Sequence, residues 1–494
     1  PGVSQVFTVP ADGGAPRQLT YGDHDHNGPL SWTSDGRRIL LSANTSENWE
    51  EEQYESEIYA LDARTGTTTR LTDREGPDVS PHASPDGRLI AYLGYDDRRL
   101  GNQNVLLYLM NPDGSGSRPL TQSLDRSIDA IRWAANSRAI YAQYDDRGET
   151  YVARVDLDGG IRTVTGGITG GGLDRPYTGG SFSVSDGGRL AITGGPAISP
   201  ADIFLVDGNS RRQLTRLNED VMAANRMGEV RRIEVASSHD GRPIEAWLTL
   251  PPGHVEGQRH PLILEIHGGP FAAYGPHFST DNQLYAAAGY VVVSANPRGS
   301  TSYGEEFANL IDRAYPGQDY DDLISVVDGV IAQGLAIPEE LFVTGGSGGG
   351  VLTSWIVGMT DRFRAAATQK PVINWVSQTL TSDIAAFVPR YWFDALPWED
   401  HETYWRRSPL SLVGNVTTPT LVVVGAEDYR TPSSEAEQYY TALRLEGVPT
   451  AFVRVPGASH GGIAARPSQS AAKAAAIIAW FERYRENPWT PPAD

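Results

Sequence analysis

Cysteine is absent from all 494 residues of this sequence. Its absence excludes disulfides, thiolate catalysis and cysteine-ligated metal sites, and it is compatible with an oxidising or a reducing compartment. No run of eighteen apolar residues occurs either, so we expect no transmembrane helix. Positive charge is scarce. The sequence has 41 Lys and Arg residues but 61 Asp and Glu residues. The resulting net charge of −20 argues against nucleic acid and anionic membrane surfaces as partners.

The remaining composition is that of an ordinary globular protein, with 39% hydrophobic and 21% charged residues. At this length we expect two or three domains rather than one. Ten histidines leave metal sites without cysteine open. The cluster His24-Asp25-His26 lacks the ligand spacing of a helical site, and we interpret it as a solvated turn. We therefore expect neither a metal nor a cofactor.

The sequence repeats over residues 1–217. Each repeat has an apolar strand and a later Leu-Thr or Val-Thr step, and these threonines lie 44 to 52 residues apart (Thr20, Thr72, Thr121, Thr165 and Thr215). An Asp-Gly turn followed by a strand also recurs, at residues 34–41 and 84–91. Such repeats are typical of a β-propeller with about four strands per blade, whereas a large β-sandwich does not repeat at fixed intervals. We predict a β-propeller over residues 1–217.

Only four to five repeats fit into this part of the sequence, while propellers close with four to eight blades. The sequence opens inside a repeat at Pro1, without an initiating methionine or a signal peptide. We therefore expect the propeller to be incomplete in this sequence, with further blades before Pro1.

The pattern changes at residue 218. After a linker at 218–229, uninterrupted apolar strands alternate with amphipathic helices, which is typical of a parallel sheet covered on both faces. The pattern predicts strands at 262–266, 290–294 and 341–343 and helices at 281–288, 320–333, 351–359 and 471–484. We predict one α/β domain over residues 218–494.

A glycine-rich turn follows one of these strands directly and reads Gly345-x-Ser347-x-Gly349. This is the nucleophile-elbow pattern of the α/β-hydrolases, in which a serine sits on a strained turn whose neighbours cannot carry bulky side chains. The pattern alone is a weak signal, because glycine-rich turns after strands are common.

Two later strands end at an acid and at a histidine. Residues 420–424 run into Asp428, and residues 451–455 run into His460. The chain order Ser347, Asp428, His460 is the order of α/β-hydrolase triads, and ligand sites of open α/β sheets lie past the strand ends. Taken singly, each residue also has an ordinary structural interpretation. Asp428 is suited to cap the helix that starts near residue 433, and His460 is suited to be an ordinary loop histidine. Together, these residues predict a catalytic triad.

Acyl transfer also needs an oxyanion hole. The run 266–270, Ile-His-Gly-Gly-Pro, follows the first central strand, and we assign the two donors to the backbone N–H groups of Gly269 and Gly348. For His267 we favour a packing role beneath this turn, and for Arg298 a role in holding a loop.

Further residues are candidates for substrate binding. Arg430 lies two residues after the acid. It is suited either to a surface salt bridge or to hydrogen bonds with substrate carbonyls, and its spacing from Asp428 does not favour one interpretation over the other. An aromatic cluster lies in an insertion, and we expect most of it to be core while one or two rings wall an apolar pocket (Trp375, Phe387, Tyr391, Trp392, Phe393 and Trp398). Of these we name Trp375 as the substrate-binding candidate.

These motifs resemble those of the prolyl oligopeptidase family of serine peptidases, most closely its acylaminoacyl-peptidase branch. The resemblance covers essentially the whole chain and is carried by HGGPFA at 267–272, NPRGSTSYG at 296–304, GGSGGG at 345–350, EDYRTP at 427–432 and GASHG at 457–461. It implies the triad Ser347, Asp428 and His460, with Asp428 preferred to Glu427. It also implies the Gly269 and Gly348 donors and a substrate-carbonyl role for Arg430.

Two departures from the family stand out. The family often has a larger residue after the serine, where this sequence has Gly348, so we expect a looser turn and a wider pocket. The missing blades put the gating of the cleft in doubt. Similar bacterial enzymes are often exported, which fits a periplasmic location without excluding a cytoplasmic one.

The sequence therefore predicts a serine peptidase that cleaves short peptides through an acyl-enzyme, with peptides as its partners, and it leaves homo-oligomerisation open. A dipeptidyl-peptidase or aminopeptidase is the nearest alternative, with acids such as Glu50, Glu51 and Glu52 binding a free amino terminus, although such a run is more often a solvated loop. A specialised isopeptidase or an esterase has the same triad chemistry. A non-catalytic propeller scaffold is the alternative from another class.

Overall fold

The computed structural model describes residues 2–26, 28–463 and 465–491. Two kinds of sheet divide these residues. Antiparallel sheets of short strands extend to Gln213, and a single, mostly parallel sheet begins at Val230. The short helix α1 (Glu219–Ala224) lies between them. The domain boundary at 217/218 stays a prediction.

The antiparallel part consists of one two-stranded sheet followed by four four-stranded units in chain order. Its strands are β1 (Phe7–Thr8) and β2 (Arg17–Gln18); β3 (Ser31–Trp32), β4 (Arg38–Ala43), β5 (Glu57–Asp62) and β6 (Thr68–Arg70); β7 (Asp78–Ala83), β8 (Ile90–Gly94), β9 (Leu106–Met110) and β10 (Arg118–Pro119); β11 (Ile128–Trp133), β12 (Ala139–Asp146), β13 (Glu149–Asp156) and β14 (Ile161–Ile168); β15 (Phe182–Val184), β16 (Leu190–Gly194), β17 (Asp202–Asp207) and β18 (Ser210–Gln213). Four antiparallel strands in sequence order form the blade of a β-propeller. The last two units are joined where β14 pairs with β16 at Ile168 and Gly194.

The repeated threonines explain the period of the sequence. Four of them accept a hydrogen bond through Oγ1 from a backbone N–H at the start of a strand earlier in the same repeat, at 2.8 to 3.0 Å (Val6 to Thr20, Ile58 to Thr72, Leu107 to Thr121 and Ile203 to Thr215). The threonine therefore supplies an acceptor where the backbone ladder ends. Thr165 differs, because it lies inside β14, where it pairs with Val152 of β13, and both strands are eight residues long.

The parallel sheet has the strand order β19-β20-β22-β21-β23-β24-β25-β26, and only its first two strands run antiparallel to their neighbours. The strands are β19 (Val230–Ala236), β20 (Pro243–Thr249), β21 (His260–Ile266), β22 (Val291–Ala295), β23 (Ala336–Gly346), β24 (Ala365–Gln369), β25 (Thr420–Gly425) and β26 (Thr450–Val455). The helices are α2 (Thr280–Ala287), α3 (Glu305–Ala308), α4 (Asp319–Ala332), α5 (Gly348–Met359), α6 (Trp375–Thr381), α7 (His401–Arg407), α8 (Ser433–Leu445) and α9 (Pro467–Glu486).

Helices cover both faces of this sheet, as its uninterrupted apolar strands require. On one face α4, α5 and α8 pack against the strands in a large buried core. On the other face α2 and α9 pack in a smaller core, in which Phe481 lies against Phe342. The parallel strands thus end at one edge, where the loops after β21, β23, β25 and β26 meet.

The two regions contact each other around this edge. Arg98 pairs with Glu305 at 2.6 Å, and the Tyr391 hydroxyl donates to Asp97 at 2.7 Å. Arg147 pairs with the buried Glu245 on β20. These contacts hold loops of the antiparallel part over the loops of the parallel sheet, and the Tyr54 ring packs edge-on against Phe387 there.

Candidate active site

Ser347 lies on the turn between β23 and α5. Its backbone has φ 59° and ψ −120°, a conformation that non-glycine residues rarely adopt. Gly345 and Gly349 must be glycines because there is no room for a Cβ atom at either position. A Cβ at Gly345 would meet the backbone of Gly349, and one at Gly349 would collide with the carbonyl oxygen of Ile266. The sequence therefore makes a turn that presents the serine side chain above the edge of the sheet.

The three predicted triad residues lie within hydrogen-bonding distance of one another. Ser347 Oγ is 3.0 Å from His460 Nε2, and His460 Nδ1 is 2.8 Å from Asp428 Oδ2 and 3.0 Å from Oδ1. Because a carboxylate only accepts, Nδ1 carries the proton and Nε2 is left to accept from the serine hydroxyl. The arrangement can transfer a proton from the serine to the histidine.

The loop after β25 fixes the Asp428 carboxylate. Oδ1 accepts from the backbone N–H groups of Arg430 and Thr431 at 3.1 and 2.9 Å, and Oδ2 accepts from the Thr431 hydroxyl at 3.1 Å. Asp428 thus caps the turn before α8 as well as contacting His460, so its two sequence interpretations are compatible. The sequence pattern did not predict that the Thr431 hydroxyl, three residues after the acid, also binds the carboxylate.

His460 is held in a partly buried, electrostatically mixed environment. Burial lowers its pKa below 6.5, and the Lys370 cation lowers the pKa further, while the hydrogen bond to Asp428 raises it. Lys370 Nζ also donates to the backbone oxygen of His460 at 2.8 Å. The imidazole is therefore kept neutral, as a general base must be.

This lowered pKa predicts the pH dependence. A base works only when neutral, so kcat/KM should decline as pH falls, with a midpoint below 6.5. Initial rates on one peptide between pH 4.5 and 8.5, with protein stability checked at each pH, measure this midpoint. A midpoint at or above 6.5 would contradict the assignment.

The two proposed oxyanion donors lie beside the nucleophile. Among the described residues, neither the Gly269 N–H nor the Gly348 N–H has a protein acceptor. The Gly269 backbone has φ 120°, which favours glycine. The Tyr315 hydroxyl donates to the Gly348 carbonyl at 2.8 Å and so braces the turn.

The space around the Gly348 α-carbon is filled, while the looser turn and wider pocket expected from this glycine stay predictions. A Cβ at this position would lie 2.9 Å from the carbonyl oxygen of Gly269 and 3.0 Å from the Tyr315 hydroxyl. The backbone of Gly269, in the loop after β21, and the side chain of Tyr315 occupy the space that a larger residue would take. The sequence missed this contact because no motif links residue 315 to the serine.

A cavity of about 500 Å³ opens beside Ser347, Gly348 and His460. Its walls are mainly apolar and aromatic, and they come from both regions of the chain (Tyr54, Phe271, Tyr315, Val351, Val372, Trp375, Ile384, Phe387 and Trp392). Trp375 is 1% exposed, and its indole N–H already donates to the Arg407 carbonyl at 3.1 Å. It therefore offers the cavity an apolar surface. Trp398, in contrast, is 68% exposed.

Arg430 lies in the wall of the same cavity and also forms an ion pair. Its Nε donates to Asp383 Oδ1 at 2.6 Å, and both side chains are about half exposed at 47%. The two sequence interpretations of this arginine therefore coexist in one side chain.

His267 and Arg298 have the supporting positions expected of them. His267 is buried, contacts Ser300 Oγ at 2.9 Å, and has a pKa lowered to about 4 by burial. The Arg298 guanidinium donates to both oxygens of the buried Asp322, at 2.9 and 2.8 Å. Both residues stabilise the loops after β21 and β22.

Within residues 2–26, 28–463 and 465–491, no group of three or more His, Cys, Asp or Glu side chains is arranged to hold a metal ion. In the same part of the chain, no helix is long and apolar enough to cross a membrane.

The fold and this arrangement of side chains define a class, the serine-type α/β-hydrolases that carry a β-propeller. The model of the prolyl oligopeptidase family matches residues 276–487, which include Ser347, Asp428 and His460. Over these residues the chain is therefore similar to the prolyl oligopeptidase family.

Curated proteins of similar sequence include peptidases. The uncharacterized peptidase YuxL of Bacillus subtilis is 36% identical over 357 residues, which are 71% of this chain and 53% of that protein. A probable dipeptidyl-peptidase 5 of Emericella nidulans is 26% identical over 426 residues, which are 83% of this chain and 57% of that protein. The chain thus spans little more than half the length of these curated relatives.

Solved structures share the fold. The uncomplexed acylaminoacyl peptidase of Pyrococcus horikoshii superposes with a TM-score of 0.83 at 21% identity, covering 100% of this chain and 78% of that one. A puromycin-hydrolyzing peptidase of Mycobacterium tuberculosis gives a TM-score of 0.72 at 19% identity, covering 97% of this chain and 83% of that one. The predicted β-propeller followed by an α/β-hydrolase domain is confirmed.

Proposed function

We propose that this chain is a serine peptidase that hydrolyses short peptides through an acyl-enzyme, of the acylaminoacyl-peptidase or oligopeptidase type. The observation that carries the proposal is the continuous hydrogen-bonded path from Ser347 Oγ through His460 to the buried Asp428 carboxylate. A structural serine or histidine has no need of this three-residue order at the ends of three parallel strands.

In the proposed reaction His460 Nε2 takes the proton of the Ser347 hydroxyl as the oxygen attacks the substrate carbonyl. Asp428 holds the imidazole and stabilises its positive charge. The N–H groups of Gly269 and Gly348 receive the developing oxyanion. His460 then gives its proton to the leaving amine, and a water molecule hydrolyses the acyl-enzyme by the same steps in reverse.

The cavity lining supports a peptide with an apolar side chain on the acyl side of the scissile bond. Its rings and aliphatic groups offer such a side chain a dry contact surface. Arg430 supplies donors for a substrate carbonyl, and it stays available because its ion pair with Asp383 uses Nε.

The antiparallel region supports a preference for short substrates. Gln53 and Tyr54 of that region line the cavity, and Gln53 Nε2 donates across to the carbonyl of Asp383 at 3.3 Å. A folded protein cannot bring a loop past this cover, whereas a flexible oligopeptide can enter.

Labelling with a fluorophosphonate probe tests the proposal, together with cleavage of a mixed library of short acetylated peptides. We expect covalent labelling of Ser347, located by mass spectrometry of the digested protein, and cleavage that the probe abolishes. Labelling of another serine, or a protein that neither reacts nor cleaves, would overturn the proposal.

A second candidate, a dipeptidyl-peptidase or aminopeptidase, is favoured by the same loop. Glu50, Glu51 and Glu52 directly precede the two cavity residues Gln53 and Tyr54, so this acidic run belongs to the loop that reaches the cavity. The name of the Emericella nidulans relative points the same way. Matched peptides with free and acetylated amino termini separate the candidates. A preference for the free amine that is lost when the three glutamates become glutamines would favour the second.

A further inference from the structure

A second cavity meets the first one at the reacting groups. It has a volume of about 400 Å³ and shares Gly269, Ser347 and His460 with the apolar cavity. From there it extends in another direction, between Arg175, Lys370 and Lys473. One side of the candidate nucleophile thus faces apolar rings, while the other faces cationic side chains.

Lysine is the rarest charged residue of this chain. Of the 41 Lys and Arg residues only two are lysines, Lys370 and Lys473, and both line this cavity. A lysine ammonium is a compact cation with three donors, and it differs in this from the arginines that carry the remaining positive charge.

The cations of the cavity differ in how well they are neutralised. Lys473 Nζ is 2.6 Å from the buried Asp281 carboxylate and 3.9 Å from Asp174, so it is fully paired. Lys370, in contrast, donates only to the His460 carbonyl, and in the described part of the chain no carboxylate lies within 4.0 Å of it. Lys370 therefore keeps two free donors and has no directly paired carboxylate, although Asp428 and Asp174 lie near enough to interact with its charge.

Arg175 adds a guanidinium to this cavity. Its Nε is 3.2 Å from Glu265, and the guanidinium also interacts with the Tyr177 hydroxyl, while both terminal nitrogens lie close to Gly346 at the cavity wall. Those nitrogens converge with Lys370 beside Gly346, the residue before the nucleophile. A Cβ built on Gly346 would lie 2.8 Å from Arg175 Nη1 and 3.2 Å from Lys370 Cε. The pair forms a donor group suited to a planar anion.

A peptide substrate has two halves, and the cavities offer each half a different surface. The acyl half is suited to the apolar cavity, which leaves the cationic cavity for the leaving half. A short leaving half carries the free α-carboxylate of the substrate, and each further residue moves that group about 3.5 Å from the scissile bond. A cavity of this size beside the nucleophile is suited to a leaving group of one or two residues.

We propose that Arg175 and Lys370 bind the C-terminal α-carboxylate of the leaving amino acid or dipeptide, so that cleavage is favoured within two residues of a free C-terminus. This proposal rests on the proposed peptidase function. The carboxylate bonds to the terminal nitrogens of Arg175 and to the two free donors of Lys370, which supply charge-assisted hydrogen bonds.

Two matched libraries of acetylated hexapeptides, one with C-terminal acids and one with C-terminal amides, test the proposal. We expect cleavage one or two residues from the C-terminus and a kcat/KM about 30-fold higher for the acid of the best pair, because the amide leaves both cations unpaired. Equal cleavage of acid and amide, or cleavage in the middle of the peptides, would overturn the proposal.

Substitutions at Lys370 test whether this residue causes the preference for peptide acids over amides. Lys370→Met should bring the acid-to-amide ratio close to one, and Lys370→Arg should keep most of it. Because Lys370 also influences His460, the ratio of the two substrates is the readout, since a general loss of catalysis cancels in it. Arg259→Met, at an exposed position beside the opposite end of β21, removes one charge and should leave the ratio unchanged. An unchanged ratio in Lys370→Met would contradict the proposal.

Chemical labelling gives a measurement on the unaltered protein. Burial lowers the pKa of Lys370 to about 8, so part of it is neutral and open to acetylation at pH 8. A dipeptide acid at millimolar concentration should slow acetylation of Lys370, while its amide should not. Equal protection by both, or by neither, would overturn the proposal even if the variants fail to fold.

Failures of the two proposals are distinguishable. A protein that cleaves no peptide and resists the fluorophosphonate contradicts the peptidase function itself. A protein that cleaves acids and amides alike, with loss of cleavage on probe labelling, keeps the peptidase function and loses the carboxylate site. Equal inhibition of both substrates by inorganic phosphate, without any acid preference, would assign the cavity to free anions and also overturn the proposal.

Discussion

Ser347→Ala should lower kcat by about 10⁶, the loss expected when the nucleophile of a serine triad is removed. Without the hydroxyl no acyl-enzyme forms, and only the oxyanion donors and substrate binding remain to accelerate direct attack by water. The turn itself should survive, because its geometry depends on Gly345 and Gly349 rather than on the serine hydroxyl. Single-turnover rates on the best peptide, with substrate binding measured separately, quantify the loss.

Ser459→Ala is a suitable control. Ser459 is an exposed serine beside His460, and its hydroxyl accepts a hydrogen bond from Gly462 N–H within its own loop. This variant should keep near-normal activity and fluorophosphonate labelling, while Ser347→Ala loses both. Retention of most of the activity in Ser347→Ala would end the proposed mechanism.

Asp428→Asn should lower kcat by about 10⁴, because an amide cannot hold the histidine in the required tautomer. The asparagine oxygen can still accept from the N–H groups of Arg430 and Thr431, so the loop after β25 should keep its conformation. The amide NH₂ would then face His460 Nδ1, which must become an acceptor and leave Nε2 protonated. An Nε2 that carries a proton cannot accept one from Ser347.

Glu427→Gln is the matched control for this change. Glu427 is the neighbouring acid and is exposed to solvent, whereas Asp428 is buried. We expect near-normal activity from Glu427→Gln and an unchanged melting temperature in both variants. A large loss in Glu427→Gln with a small one in Asp428→Asn would transfer the role of the acid to Glu427.

Much of the candidate site could be predicted because its residues stand in local patterns. A serine between glycines after an apolar strand, and an acid and a histidine after later strands, are each readable from a few neighbouring residues. Parallel strands end at one edge of their sheet, so these patterns also imply that the side chains meet. The repeated threonines were readable for the same reason, although their hydrogen bonds to strand starts were not.

Other residues of the site have no local signal. Tyr315 braces Gly348, Tyr54 reaches the cavity from the antiparallel region, and Lys370 contacts both the His460 loop and the space beside Arg175. Each belongs to a segment whose sequence reads as an ordinary loop or strand end. Their positions depend on how distant segments pack, which the pattern of neighbouring residues does not encode.

The amino-acid sequence by itself determined the two kinds of sheet, the resemblance to the prolyl oligopeptidase family and the three residues proposed as the triad, because strand periodicity and turn chemistry act over a few residues. Only the tertiary structure decided that the space beside Gly348 is filled, that Arg430 serves both an ion pair and the cavity, and that the two lysines line one cavity with Ser347. Those features arise from side chains brought together by packing across the sheet edge, where distance in space is independent of distance along the chain.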